Sequence, residues 1–217
     1  LHEDKSISDY TLSVLKNIVK KDVILTASMA TGIYVQNLYP DLKMYALGTQ
    51  SFQKEMKKYG LKLTNDPKEA TGLLVAYDTE LTYQKLVNAC RILKKGEVPY
   101  IATNLDLVCP DEYGFVPDCG SICQMLENAT GRRPEYIGKP GSFMVEYALR
   151  KCQKQLSQSV FVGDRMYTDI LCGVKTGMDT IAVLTGELKE KELSQYPYEP
   201  MYLYPSVKEI YKELTKI

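Results

Sequence analysis

Short apolar runs that end on a glycine or an acid alternate with helix-length amphipathic stretches along these 217 residues. That alternation leaves few architectures open. Strands separated by helices cannot close as hairpins and instead build a parallel sheet flanked by helices, so the chain is expected to be α/β. Segments 43–47, 73–77, 100–103, 159–162 and 179–184 read as strands, with a further short one at Val23-Ile24-Leu25-Thr26. Segments 7–19, 28–38, 50–59, 82–95, 118–130, 141–152, 167–175 and 206–215 read as helices, several stopped by Gly60, Gly96, Gly131 or Gly177. In the first of them Ile7, Leu12, Leu15 and Ile18 share a face. No repeat or low-complexity linker divides the chain.

Composition removes whole classes of chemistry. Lys plus Arg and Asp plus Glu are 27 each, so no basic excess points to nucleic acid or to an anionic membrane surface. No apolar run approaches the length of a membrane span, and Leu1-His2-Glu3-Asp4-Lys5 lacks a basic-then-apolar leader pattern, so a cytoplasmic protein is expected. The six cysteines form no C-x-x-C pair and read as small buried residues in a reducing compartment. The only histidine is His2, which argues against Ser-His-Asp and Cys-His catalysis and against a His-rich metal site. Acid–base work falls to carboxylates, Lys or Tyr. Neither glycine-rich phosphate-loop pattern occurs.

Three strand ends carry candidate chemistry. Val160-Phe161-Val162-Gly163-Asp164 reads as a buried strand that delivers Asp164 to the carboxyl end of a sheet, where α/β proteins bind ligands. Asp169 follows five residues later, near a helix start. Two carboxylates meeting at that bend suit Mg²⁺, which takes hard oxygen ligands and keeps several waters; the other reading of Asp169 is an acid favoured by the helix dipole. Tyr136-Ile137-Gly138-Lys139-Pro140 repeats the form and offers Lys139 to phosphate oxygens, against the ordinary fate of a lysine in solvent. Ile101-Ala102-Thr103-Asn104-Leu105-Asp106 places Asn104 and Asp106 at a third strand end, as substrate contacts or as turn formers. Asp78, after Ala76-Tyr77, reads as a turn or helix-cap residue.

In order and spacing, Gly138-Lys139-Pro140, Val162-Gly163-Asp164-Arg165-x-x-Thr168-Asp169-Ile170 and Thr185-Gly186 resemble the haloacid dehalogenase superfamily. More narrowly, with Tyr77-Asp78-x-x-Leu81-Thr82-Tyr83-x-Lys85-Leu86, Ile101-Ala102-Thr103-Asn104-x-Asp106 and Gly114-Phe115-Val116-Pro117-Asp118-Cys119-Gly120, the chain resembles subfamily IIA, the nitrophenyl-phosphatase, phosphoglycolate-phosphatase and NagD-like enzymes. The resemblance implies a Rossmann-like core, residues 1–40 and 132–217, with an inserted α/β cap of type C2 at 41–131. It implies a Mg²⁺-dependent phosphatase of small phosphorylated metabolites, with Lys139 binding phosphate, Asp164 binding the metal and Asp169 supporting it. The loop from Thr103 to Asp106 would select the substrate, lowered over the site to exclude water. A homodimer through the cap is one assembly that the resemblance implies.

The family's nucleophile is an aspartate in a D-x-D motif on the first strand, followed later by Thr-Asn-Asn-Ser. Neither motif occurs here, and Asp4, Asp9 and Asp22 lack a preceding apolar strand. The chain therefore reads as the larger part of an enzyme whose catalytic strand lies upstream of Leu1. A core missing two central strands is expected to expose sheet edges and apolar helix faces. The alternative is a binding module that holds phosphorylated ligands or a partner without turnover. A nucleotide-binding oxidoreductase on a similar sheet is a third reading, weakened by the missing glycine fingerprint.

Overall fold

The structure is a computed structural model that describes residues 24–215. The helix expected over 7–19, Asp4, Asp9, Asp22 and Val23 lie outside the described residues. The chain falls into two compact units that divide between Gly138 and Lys139.

In the first unit α1 (Ala27–Leu38) leads to β1 (Lys43–Leu47), α2 (Gln50–Lys58), β2 (Lys62–Leu63) and β3 (Gly72–Val75). Then come α3 (Tyr83–Leu93), β4 (Tyr100–Ala102), the strands β5 (Val108–Asp111) and β6 (Gly114–Pro117), α4 (Cys119–Thr130) and β7 (Glu135–Tyr136). Among the described residues, five strands form one sheet in the order β2-β1-β3-β4-β7, every pair parallel. Threonines start three helices: Thr26, Thr49 and Thr82 each accept a hydrogen bond from the N–H three residues on, satisfying a donor the first turn leaves open. Thr26 thus ends the stretch expected as a strand, and Ile24 and Leu25 pair with no strand among the described residues.

The central strands β1, β3 and β4 are near-continuous apolar runs because they are buried on both faces. Tyr45, Leu47, Leu73, Val75, Tyr100 and Ala102 pack against Ala89, Ile92 and Leu93 of α3 and Ile122, Cys123 and Leu126 of α4. Met44, Leu74 and Ile101 alternate to the opposite face and are fully buried too. A second chain of contacts ties the carboxyl ends of β1 and β3. The Asp78 carboxylate accepts from the Glu80 N–H at 2.9 Å and pairs with Lys85 Nζ at 2.8 Å, while Lys85 also donates to the Gly48 carbonyl at 3.2 Å. The β5–β6 hairpin was not foreseen; its residues are mostly exposed, so they lack the apolar alternation that marks a strand.

The second unit holds α5 (Phe143–Cys152), β8 (Val160–Gly163), a π turn at Met166–Ile170, α6 (Leu171–Thr176), β9 (Asp179–Val183), β10 (Tyr202–Tyr204) and α7 (Val207–Leu214). Its three strands run parallel in the order β10-β9-β8. Met166, Ile170, Ala182 and Leu188 make one small core, and Val145, Cys172 and Met178 another, joined by Phe161. The apolar run at β8 is not the buried strand its composition suggests. Val160 and Val162 are 47% and 40% exposed, because β8 pairs only with β9 among the described residues and only its Phe161 face is packed. Val207, Tyr211 and Leu214 form a further exposed apolar stripe on α7.

Glu135 and Tyr136 pair with β4 and extend the first sheet, and the two compact units divide just after this extension. Gly138 closes that extension: its N–H donates to the Thr103 carbonyl at 2.8 Å, and a Cβ there would stand 2.3 Å from the same oxygen.

Removing Lys85 strands a carboxylate whose side chain is fully buried. Lys85→Ala is expected to destabilise the chain by about 3 kcal/mol, read as a lowered midpoint in urea unfolding; a loss under about 1 kcal/mol would mean the pair behaves as a surface ion pair.

Candidate active site

The site in the second unit is assembled at the carboxyl end of β8. The strand stops at Gly163, the chain bends through Asp164 and Arg165, and the π turn brings Asp169 back under the bend. The Asp169 carboxylate is the hub. Its Oδ2 accepts from the backbone N–H groups of Asp164 and Arg165, both at 3.2 Å, and its Oδ1 pairs with Lys139 Nζ at 2.5 Å. The Asp169 side chain is 6% exposed, whereas that of Lys139 is 42% exposed, so the ammonium keeps protons available to a ligand. The Lys139–Pro140 peptide is cis.

Asp164 is held differently. One of its oxygens, Oδ2, accepts from the Glu187 N–H at 2.8 Å, and the other accepts no hydrogen bond among the described residues. Two glycines make this packing possible. A Cβ at Gly163 would stand 2.2 Å from Asp169 Cβ, and one at Gly186 would stand 1.8 Å from Asp164 Oδ2. Cys172 lies below the hub; burial pushes its thiol up to about 11 against the pull of the Lys139 ammonium, so it stays a neutral packing group.

Lys139, distant in sequence, is therefore brought to the bend that holds Asp164 and Asp169. Their donor set fits a magnesium ion: two carboxylates, one with an oxygen that accepts no hydrogen bond among the described residues, and an exposed flank where waters or a phosphate complete the shell. No cluster of three or more Asp, Glu, Cys or His side chains suited to a metal exists among the described residues, so a cation here would lean on water and substrate oxygens.

Thr103, Asn104 and Asp106 lie on the other unit, at the carboxyl end of β4. The Thr103 hydroxyl is turned inward, donating to buried Cys119 Sγ at 3.6 Å, and only 2% of the residue is exposed. The Asn104 side-chain oxygen is enclosed without a hydrogen-bond partner among the described residues. The loop rests on the start of α4: Gly120 N–H donates to the Asp106 carbonyl at 2.8 Å, and a Cβ at Gly120 would stand 2.3 Å from the Leu105 carbonyl oxygen. Glu187 escaped the sequence reading altogether; its only signal is its place directly after Thr185-Gly186 at the exit of β9. No described helix is long and apolar enough to cross a membrane.

Comparison with known proteins identifies the family. Residues 136–210 match the HAD-hydrolase-like family. The chain is 32% identical over 189 residues to 5'-nucleotidase YutF of Bacillus subtilis, covering 87% of this chain and 73% of that protein. It is 32% identical over 194 residues to ribonucleotide monophosphatase NagD of Escherichia coli, covering 88% and 74%. The crystal structure of 4-nitrophenylphosphatase from Thermotoga maritima superposes with a TM-score of 0.87 at 31% identity, covering 97% of this chain and 81% of that one. The sheets, the glycine-framed carboxylates and these relatives together establish that the chain belongs to the haloacid dehalogenase superfamily, in the subfamily IIA of nitrophenyl-phosphatase- and NagD-like hydrolases.

Proposed function

We propose that this chain serves a cytoplasmic, Mg²⁺-dependent phosphatase of small phosphomonoesters, with residues 1–40 and 132–217 serving as core and 41–131 as cap. The observation that carries the reading is the Lys139–Asp169 pair, with Asp164 tethered beside it by the Glu187 N–H. Asp164 is the metal acid. Asp169 orients Lys139 and closes the bend, since both its oxygens already serve protein donors. Lys139 takes a phosphate oxygen with its remaining protons and offsets charge as it develops there. A bound magnesium ion would supply charge neutralisation at the phosphoryl oxygens.

The acceptor of the phosphoryl group in this family, an aspartate in D-x-D, has no counterpart in these 217 residues. Substrate choice is assigned to the loop from Thr103 to Asp106. Thr103 serves it through its backbone, because its hydroxyl donates to Cys119, and Asn104 and Asp106 serve it with their polar side chains. Relatives named for nucleotides and for acid sugars point to nucleotide or sugar monophosphates as the class to test first. A homodimer through the cap belongs to the same proposal. The second reading, ligand binding without turnover, draws on the absence of D-x-D from these 217 residues.

Hydrolysis of p-nitrophenyl phosphate with Mg²⁺ separates the two. These 217 residues alone are expected to release no more product than their Lys139→Ala and Asp164→Asn variants. Adding an upstream strand that ends in D-x-D is expected to bring activity that either variant lowers by about 100-fold or more. Activity in the 217 residues that both variants abolish would place the nucleophile among their own carboxylates; no activity after the addition favours the binding module. Gly186→Ala must displace the Asp164 carboxylate and is expected to cost about 1–3 kcal/mol in stability and to weaken Mg²⁺ binding, measured by chemical unfolding and calorimetric titration.

A further inference from the structure

Glu187 touches the site three times. Its N–H is the hydrogen-bond donor to the Asp164 carboxylate. Its own carboxylate pairs with Arg165 Nε at 2.6 Å and accepts from the Tyr167 hydroxyl at 3.2 Å. The next residue repeats the tie, with Leu188 N–H donating to the Asp164 carbonyl at 3.0 Å while its side chain sits in the core beside Met166 and Ile170. The loop leaving β9 is thus fastened to the loop leaving β8 by backbone and side chain at once. The ion pair is partly withdrawn from water, with 19% of the Arg165 side chain and 34% of the Glu187 side chain exposed.

An exposed ion pair contributes little to stability. A carboxylate pinned by two donors on the facing loop does something else: it fixes where its own backbone N–H points. We infer that Glu187 is a positioning residue for Asp164. Clamped by Arg165 and Tyr167, it holds its N–H on Asp164 Oδ2 and leaves the other Asp164 oxygen for a divalent cation. Groups that orient a metal ligand in this way set its affinity, because the bound rotamer is already chosen. This inference rests on the reading of Asp164 as the metal acid.

The test is Mn²⁺ binding to the full 217-residue chain, followed by loss of the free aqua-ion signal in electron paramagnetic resonance. Glu187→Ala is expected to weaken binding about tenfold. Glu187→Gln, which keeps an acceptor for Tyr167, is expected to recover part of that loss. Arg165→Met is expected to weaken binding as well, and Arg165→Met with Glu187→Ala to be no weaker than Glu187→Ala alone, the mark of one shared clamp. Thermal melts without metal check folding; if Glu187→Ala does not fold, Arg165→Met decides. Wild-type affinity in Glu187→Ala and Arg165→Met, with binding lost in Asp164→Asn, overturns the positioning role and leaves the metal site standing. Wild-type affinity in Asp164→Asn overturns both.

Discussion

The carboxylate of Asp169 is the constraint on which the second unit's site depends. A nearly buried charge is tolerated only when its lone pairs are filled, and here three donors fill them: the Lys139 ammonium and two successive backbone N–H groups. Satisfying those donors forces the chain after β8 into one bend. That bend sets the place of Asp164, and the π turn supplies the extra residue that carries Asp169 back beneath it. Lys139 is drawn in from the start of the unit by the same charge.

Close packing explains why small residues recur around this hub. Gly163 lets the Asp169 side chain lie against the strand end, and Gly186 lets the Asp164 carboxylate lie against the next loop. Both contacts are closer than any side chain allows. The glycines act as space here, because neither has the positive φ that marks a conformational need. In the first unit Gly138 and Gly120 do the same for the loop from Thr103 to Asp106, each admitting a carbonyl oxygen where a Cβ would stand. One principle thus frames both candidate elements: a backbone seated directly on backbone or carboxylate.

The two units also differ in how completely they are packed. In the first, β1, β3 and β4 are covered on both faces. In the second, β8 carries Val160 and Val162 on an uncovered face and α7 carries an uncovered apolar stripe. An apolar run in sequence states that a strand wants to be buried, not that the described residues bury it. That distinction is why the strand at β8 was located correctly while its burial was not.

Much of this protein was legible before any coordinate. The alternation of apolar runs and amphipathic stretches specified a parallel α/β arrangement, because the periods of strand and helix differ and parallel strands need crossovers. The motif around Gly163-Asp164 and the Gly138-Lys139 pair marked strand ends, and with the cap motifs they carried the family. Other features were invisible to any local pattern. The hairpin of β5 and β6 has no buried face to print a period, and the extension of the first sheet by β7 depends on two residues choosing a partner in β4. Which way the Thr103 hydroxyl turns, toward the loop surface or toward a buried thiol, is settled by what packs against it. Glu187 is the sharpest case. Its sequence neighbourhood says only that a loop follows β9, while its contacts to Arg165, Tyr167 and Asp164 come from residues about twenty positions away, so its place beside the site belongs to the tertiary structure alone.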